Sequence, residues 1–269
     1  MIEPFLALLF GLLIGSFLNV CIHRWPRGRS VVAPRSHCVR CRKMIPWYDN
    51  VPLVSYIVLG GRCRYCKKPI SLRYPAVELL TGILFFYFVL RMGLTAAAVK
   101  FCILSAMLVA LAFCDLEKRL LPDQFTLGGL LVGLAFAWFV PVPTPAMPDN
   151  TSALIFWLAG LNVNGRAASL CDALLGALLL SGLLWGAGEL YYRIRGREGL
   201  GFGDVKLVAM IGAFLGLRVA LGSMAWGGVA GSVIGLAYIR ATKKNASTFE
   251  LPYGTFLSAA ALAMAATLV

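Results

Sequence analysis

The sequence predicts an all-α polytopic membrane protein with about eight transmembrane helices. Hydrophobic residues make up 59% of its 269 positions and charged residues only 14%, whereas soluble domains carry about 25% charged residues. A membrane helix needs about 20 mostly apolar residues. The apolar segments are 4–23, 74–92, 96–114, 124–141, 168–190, 205–217, 219–239 and 252–269. So little polar surface excludes an ordinary soluble protein.

The lysines and arginines predict how these segments are oriented. Residues 24–73 hold twelve of the 25 basic residues and one acid, Asp49. The positive-inside rule therefore predicts that this loop is cytoplasmic and that the N-terminus lies outside. Alternating from there, 21 of the 25 basic residues fall on the cytoplasmic side. The net charge of +13 then indicates basic loops against anionic lipid, not nucleic-acid binding.

Three parts are expected along the chain: a first transmembrane helix at 1–23, a basic cysteine-rich domain at 24–73, and a transmembrane domain at 74–269. The apolar run 205–239 is too long for one span, and we expect a break at Gly216-Leu217-Arg218. After this break, Gly227, Gly231 and Gly235 recur at four-residue spacing, and such a stripe of small residues predicts close helix packing. The apolar piece 153–161 is too short to span and is expected at the interface.

Four of the eight cysteines form two matching pairs in the basic loop, Cys38-x-x-Cys41 and Cys63-x-x-Cys66. Each pair can form a zinc knuckle, a tight turn that supplies two thiolates, and two such knuckles can complete a tetrahedral zinc site. The two pairs are separated by 21 residues, which is slightly longer than usual for this pattern. A cytoplasmic loop disfavours stable disulfides. We therefore predict a structural zinc site, with a redox switch and a metal-free loop as alternatives. His37 is an outside candidate ligand.

Two acids at the membrane edge are candidates for catalysis. Asp115 ends the third segment and Asp204 opens the sixth in Gly201-Phe202-Gly203-Asp204, so the predicted topology places both at the cytoplasmic face. Two close carboxylates cannot both ionise easily; one can act as a base towards water while the other, protonated, polarises a carbonyl. The glycines permit close backbone approach. The alternative is that Asp204 only caps its helix.

The other acids near apolar segments have structural interpretations. Asp123 follows Leu121-Pro122 and is expected to cap the fourth segment, although it is also the rival to Asp115 as a catalytic residue. Asp172 is expected to cap the fifth segment. Glu78 and Glu189 lie inside segments, where we expect each to pair with a nearby arginine.

A family resemblance rests on several of these motifs together. Asp115, Leu121-Pro122-Asp123 and Gly203-Asp204-Val205-Lys206-Leu207 resemble the G-x-G-D membrane aspartyl proteases, and most of all the bacterial type IV prepilin peptidases. The paired cysteines and several further motifs share this resemblance, which runs from residue 15 to 254. The further motifs are Gly15-Ser16-Phe17-Leu18-Asn19-Val20, Arg24-Trp25-Pro26, Asn50-Val51-Pro52, Gly61-Arg62-Cys63, Arg73-Tyr74-Pro75 and Leu251-Pro252-Tyr253-Gly254.

The resemblance implies a multi-pass enzyme of the bacterial inner membrane. It would cleave the basic leader from type IV prepilins or type II secretion pseudopilins after a glycine, on the cytoplasmic face. It would then methylate the new N-terminus with S-adenosylmethionine, an activity associated with the cysteine-bearing loop. The implied catalytic residues are Asp115 and Asp204. The implied supporting residues are Asp123, Gly201, Gly203 and Lys206, and weak candidates for the methyl-donor site are Gly61 and Arg62.

Two other functions stay open at this point. The chain could be a non-proteolytic membrane protein whose zinc loop recruits partners, or a membrane methyltransferase without protease activity. From the residues alone, Gly60-Gly61 is equally a turn before the second cysteine pair.

Overall fold

A computed structural model describes residues 2–140, 165–196, 199, 201–242 and 251–269, and these residues form helices, turns and no β-strand. Two 3₁₀ turns, Trp25–Arg27 and Trp47–Asn50, lie in the basic loop. The α-helices are α1 (Glu3–Arg24), α2 (Val54–Val58), α3 (Arg73–Met92), α4 (Ala96–Lys118), α5 (Asp123–Phe139), α6 (Gly165–Arg195), α7 (Phe202–Thr242) and α8 (Tyr253–Thr267).

The predicted all-α class is confirmed. Within the described ranges, five helices are long and apolar enough to cross a membrane, namely α1, α3, α4, α6 and α7, and two apolar helices, α5 and α8, are shorter. The number of eight crossings stays a prediction. The predicted break in the long apolar run is confirmed, because Gly216 has φ 77° and ψ 175° inside α7. The segment 153–161 lies outside the described residues.

The chain divides into two compact units, Met1–Ala110 and Leu111–Val269. In the first unit, α1 packs along α3, and glycines set the distance between the two helices. A Cβ on Gly11 would lie 2.9 Å from the Gly82 Cα, and a Cβ on Gly15 would lie 2.7 Å from the Glu78 Cα. Larger side chains at these positions would force the helices apart.

In the second unit, α7 contacts α5, α6 and α8. Gly212 of α7 approaches Gly176 of α6 so closely that a Cβ on Gly212 would lie 2.3 Å from the Gly176 carbonyl carbon. The glycine stripe contacts the first turns of α8 and the segment just before it: Gly227 faces Leu257, and Gly235 faces Leu251. The prediction of close packing along this stripe is therefore confirmed.

The break in α7 is occupied by a carboxylate. Asp172 lies inside α6, so the prediction that it caps the start of its own helix is wrong. A Cβ on Gly216 would lie 2.0 Å from the Asp172 Oδ2, and the Leu217 backbone N–H donates to the Asp172 side chain. Asp172 therefore satisfies an amide at the start of the second half of α7, where the helix dipole favours a negative charge.

Candidate active site and metal centre

Asp115 lies near the end of α4, in the second unit, and its side chain is buried, with 6% of the residue exposed. Thr255, in the first turn of α8, holds one of its oxygens. The Thr255 backbone N–H is 2.7 Å from the Asp115 Oδ2 and the Thr255 Oγ1 is 2.9 Å from the same atom. The hydroxyl also lies 3.1 Å from the Ala112 carbonyl oxygen. Two donors from a helix N-terminus favour a negative charge on Oδ2.

Asp204 lies in the first turn of α7. Its backbone N–H donates to the Gly201 carbonyl at 3.0 Å, and its carboxylate interacts electrostatically with that of Asp115. The phenol of Tyr253 interacts with Asp204 in the same way. The two acids that the sequence singled out, from the end of one helix and the start of another, therefore lie close enough to interact electrostatically.

The Leu121 side chain lies next to Gly203 and Gly254 at this site, beside Asp115. It is 8% exposed. A Cβ on Gly203 would lie 3.2 Å from the Leu121 Cβ, and a Cβ on Gly254 would lie 3.1 Å from the Leu121 Cδ1 and 3.3 Å from the Asp115 Cγ. Glycine at both positions thus lets Leu121 fit between the starts of α7 and α8. Sequence reasoning did not assign Leu121, Gly254 or Thr255 to the site; the signal was the Leu251-Pro252-Tyr253-Gly254 motif.

The remaining predicted supporting residues surround this site. Asp123 is the first residue of α5, but the helix follows Pro122 without a side-chain cap, so the cap prediction is wrong. Its carboxylate accepts a hydrogen bond from the ammonium group of Lys206 instead. A Cβ on Gly201 would lie 3.4 Å from the Asp204 Oδ2. Asp123 and Lys206 therefore tie the start of α5 to the start of α7.

In the first unit, the two cysteine pairs fold into the same turn. In each, the N–H of the first cysteine donates to the carbonyl five residues later, at 3.0 Å from Cys38 and 2.9 Å from Cys63. The N–H four residues later donates back to the carbonyl of that cysteine, at 2.9 Å and 3.0 Å. Arg42 and Lys67, which follow the second cysteines, take left-handed φ values of 57° and 55°. The loop therefore contains two matched knuckles.

The four thiols converge on one point and could hold a metal ion. All four sulfurs lie within 4.8 Å of one another, and the Cys38 and Cys66 Sγ atoms are 3.9 Å apart. Four thiolates at 2.3 Å from a tetrahedral zinc would be about 3.8 Å apart. The backbone N–H of Cys66, helped by that of Tyr65, lowers the pKa of the Cys63 thiol to about 7, whereas the pKa of the neighbouring Cys41 thiol is raised to about 11.

An ion pair attaches the second knuckle to the rest of the loop. Arg64 donates two hydrogen bonds of 2.6 Å to Asp49, which lies in the 3₁₀ turn Trp47–Asn50. This contact holds the pKa of the Asp49 carboxyl below its usual range. Gly61, just before the knuckle, has φ 66°, and a Cβ on it would lie 2.9 Å from the Tyr56 hydroxyl oxygen. Arg62 forms an isolated antiparallel bridge with Pro69.

A cavity of 740 Å³ lies in the first unit, between the knuckles and the facing ends of α1 and α3. Glu78 lines it and accepts a hydrogen bond of 2.9 Å from the Leu53 backbone N–H. The prediction that Glu78 pairs with an arginine is therefore wrong. The matching prediction for Glu189 is confirmed, since the Arg193 Nε lies 2.8 Å from the Glu189 Oε1.

Comparison with known proteins found similarity over most of the chain. Residues 9–92 match the bacterial peptidase A24 N-terminal domain, and residues 102–236 match the type IV leader peptidase family. No solved structure matches the chain.

Three similar proteins are each named prepilin leader peptidase/N-methyltransferase. The Myxococcus xanthus protein is 40% identical over 86% of this chain, which spans only 62% of that relative's length. The Pseudomonas aeruginosa protein is 33% identical over 94% of this chain and 87% of its own length. The Aeromonas hydrophila protein is 34% identical over 95% of this chain and 87% of its own length. Together with the apolar helices, these matches indicate a multi-pass membrane protein.

Proposed function

Since this chain belongs to the type IV leader peptidase family, we propose that it removes the basic leader from type IV prepilins or type II secretion pseudopilins. Cleavage follows a glycine, and the same protein then N-methylates the new N-terminal residue. The proteolytic half is supported by the electrostatic interaction between Asp115 and Asp204 and by the two hydrogen bonds from Thr255 to Asp115.

The hydrogen bonds support different roles for the two carboxylates. The Asp115 Oδ2 already accepts two hydrogen bonds from Thr255, so Asp115 acts as the ionised partner and Asp204 carries the shared proton. Asp115 takes a proton from the attacking water while Asp204 donates a hydrogen bond to the scissile carbonyl oxygen. Asp115 then returns its proton to the leaving amine as the tetrahedral intermediate collapses.

The role of Thr255 is tested by Thr255→Val, which keeps the backbone N–H and removes the hydroxyl. We expect the rate of leader cleavage to fall by about 10- to 100-fold, because a hydrogen bond to a charged group contributes about 1.5–3 kcal/mol. Thr255→Ser should restore most of the rate. The matched control is Thr267→Val in the same helix, whose hydroxyl donates only to the Met264 carbonyl. An unchanged rate in Thr255→Val would show that the hydroxyl does not orient Asp115.

The metal in the four-cysteine cluster is zinc in this proposal, in a structural role. Cys38, Cys41, Cys63 and Cys66 fit four-thiolate coordination, which leaves no open position for catalysis. Bound zinc would hold the two knuckles together and stabilise one wall of the 740 Å³ cavity. A loop with few apolar contacts of its own folds largely through its metal.

Metal analysis tests this assignment. We expect about one zinc per purified chain and almost none in the double variant Cys38→Ser/Cys66→Ser. N-methylation should be lost in that variant, since structural zinc contributes on the order of 10 kcal/mol of folding free energy in such loops. Leader cleavage should persist. Cys171→Ser, which changes a half-buried thiol of α6 outside the cluster, should keep both activities and the metal. Wild-type protein that folds without metal would contradict the assignment.

The methyl donor in this proposal is S-adenosylmethionine, which supplies an electrophilic methyl group when bound. The cysteine-bearing loop is the part of the chain that would hold it. Gly61 and Arg62 remain candidates for that site, although the left-handed conformation of Gly61 also serves the turn before the second knuckle.

The proposed location is the bacterial inner membrane, with the N-terminus in the periplasm and the active site on the cytoplasmic side. Its support is the distribution of basic residues, twelve of which fall in residues 24–73. The partners are prepilin or pseudopilin peptides and membrane lipid. Cysteine labelling from each side of the membrane, at residues substituted into the two ends of α1, tests this orientation.

The function is tested with purified protein in detergent, a synthetic prepilin peptide and the same peptide already trimmed of its leader. Mass spectrometry is expected to show the free leader and a mature peptide heavier by one methyl group. A chain that only recruits partners would change neither peptide. A chain that is only a methyltransferase would modify the trimmed peptide and leave the full-length peptide uncut.

A further inference from the structure

Two buried acceptors contribute to the wall of the 740 Å³ cavity. The cavity has the size of a small-molecule site. Glu78 of α3 and Asn19 of α1 both line it, and they are 8% and 2% exposed. The close approach of Gly15 to the Glu78 backbone brings these two helix faces together.

Glu78 is a buried carboxyl group that a neutral donor orients in the cavity wall. Its Oε2 accepts a hydrogen bond of 2.9 Å from the Leu53 backbone N–H, which is neutral. Leu53 is held at φ 59°, a conformation that non-glycine residues rarely adopt. Such backbone conformations cluster at functional sites, where the surrounding structure maintains them. The Leu53 N–H thus orients a buried carboxyl group in a cavity that is also lined by basic side chains.

Asn19 needs a donor that these contacts do not supply. Its Nδ2 group donates to the Tyr74 carbonyl at 3.0 Å and to the Gly15 carbonyl at 3.3 Å. Its Oδ1 is buried and has no hydrogen-bond partner. Both amide hydrogens are already used, so the missing partner must carry an N–H or O–H group. A buried acceptor without a partner is unfavourable, and a bound ligand would satisfy it.

Glu78 and the Asn19 Oδ1 are both hydrogen-bond acceptors, and a primary amine in its ammonium form can donate to both. An α-ammonium group offers positive charge to Glu78 and an N–H to the Asn19 Oδ1. We propose that this cavity is the methyl-transfer site, in which Glu78 and Asn19 bind the α-amino group of the trimmed pilin peptide and Glu78 accepts its proton. The assignment rests on the methyltransferase half of the proposed function and adds the residues that receive the amine.

The methyl transfer needs one base, and Glu78 supplies it. The α-ammonium group gives one proton to the Glu78 carboxylate, and the amine nitrogen then uses the freed electron pair to form a bond to the methyl carbon. The bond from that carbon to the sulfonium sulfur breaks, and its electron pair stays on sulfur as a neutral thioether. The product is a secondary ammonium ion, so no oxidant or reductant is needed.

The experiment compares Glu78→Gln with the wild-type chain, using the peptide already trimmed of its leader. We expect N-methylation to fall by about 100-fold or more, in the range typical for loss of a general base, while leader cleavage is retained. Glu78→Asp should recover part of the rate. The matched control is Glu189→Gln, which changes a carboxylate outside the cavity and should keep both activities.

A binding measurement separates this role from a structural one. Affinities of the trimmed peptide and of its N-acetylated copy are measured by calorimetry without methyl donor. The wild-type chain should prefer the free amine by at least about tenfold, as expected for one charge-assisted hydrogen bond. Glu78→Gln should lose this preference. Equal affinities in the wild-type chain would overturn the assignment, and so would an undiminished preference or a wild-type methylation rate in Glu78→Gln.

The two proposals fail in different ways. A wild-type chain that cleaves prepilin but never methylates the trimmed peptide would overturn the methyltransferase function itself, and the site with it. A wild-type chain that methylates normally, with no preference for a free amine, would overturn only the assignment of Glu78 and Asn19.

Discussion

Asp115→Asn and Asp204→Asn should each lower the rate of leader cleavage by about 1000-fold or more. Asparagine keeps the size of the side chain and removes the group that accepts or carries the proton, and general acid–base catalysis contributes about 10²–10⁴-fold. The measurement is single-turnover cleavage of a synthetic prepilin peptide. N-methylation of a peptide already trimmed should be unchanged in both variants, because Glu78 and Asn19, in the other unit, serve that reaction.

Asp123→Asn is the control for this prediction. Asp123 is more exposed and pairs with Lys206, so its loss should change the cleavage rate by only a few-fold, as expected for an exposed ion pair. If Asp123→Asn abolished cleavage while Asp115→Asn did not, the first member of the dyad would be wrong. If both Asp115→Asn and Asp204→Asn still cleaved at the wild-type rate, there would be no dyad.

Gly212→Ala should destabilise the chain, unlike the same substitution at Gly228 in the same helix. The added carbon would lie 2.3 Å from the Gly176 backbone, so α6 and α7 must separate. Overpacking of this kind costs about 1–3 kcal/mol. The measurement is the midpoint of thermal unfolding in detergent. Leader cleavage at the assay temperature should fall as well, because Asp204 stands on the short first half of α7.

Gly228→Ala is the matched control, since the same substitution in the same helix meets no atom within 4 Å. Alanine is favoured over glycine in a helix by up to about 1 kcal/mol, so this variant should keep or raise the midpoint. Equal midpoints for Gly212→Ala and Gly228→Ala would show that the contact between Gly212 and Gly176 does not limit the packing of α6 against α7.

Much of the site could be predicted because its signals are local. Asp204 follows a glycine-rich turn and Asp115 ends an apolar segment, so composition and charge were enough to place both at a membrane edge. The spacing of the cysteines was enough to predict two knuckles. In contrast, the residue types of Thr255 and Leu121 do not predict their roles, although each lies in or beside a family motif, because a threonine or leucine near an apolar segment is common. Their roles depend on α8 meeting the end of α4.

The three wrong predictions about acidic residues have one physical cause. Asp123, Asp172 and Glu78 were each interpreted from their neighbours in the chain, as a helix cap or as the partner of a nearby arginine. Their partners instead lie on other segments: Lys206 for Asp123, the Leu217 amide for Asp172 and the Leu53 amide for Glu78. A buried carboxylate takes the donor that packing brings to it, and sequence distance does not limit that choice.

The amino-acid sequence was enough to predict the all-α membrane class, the break at Gly216, the convergence of two cysteine pairs and the two candidate aspartates. Each of these follows from apolar length, glycine conformation or ligand spacing within a short stretch. The folded arrangement of the helices was needed to show that Thr255 donates to Asp115, that Leu121 fits between two glycines, and that Glu78 and Asn19 line one cavity. Those contacts join residues far apart in the chain, and helix packing alone brings them within hydrogen-bond or van der Waals distance.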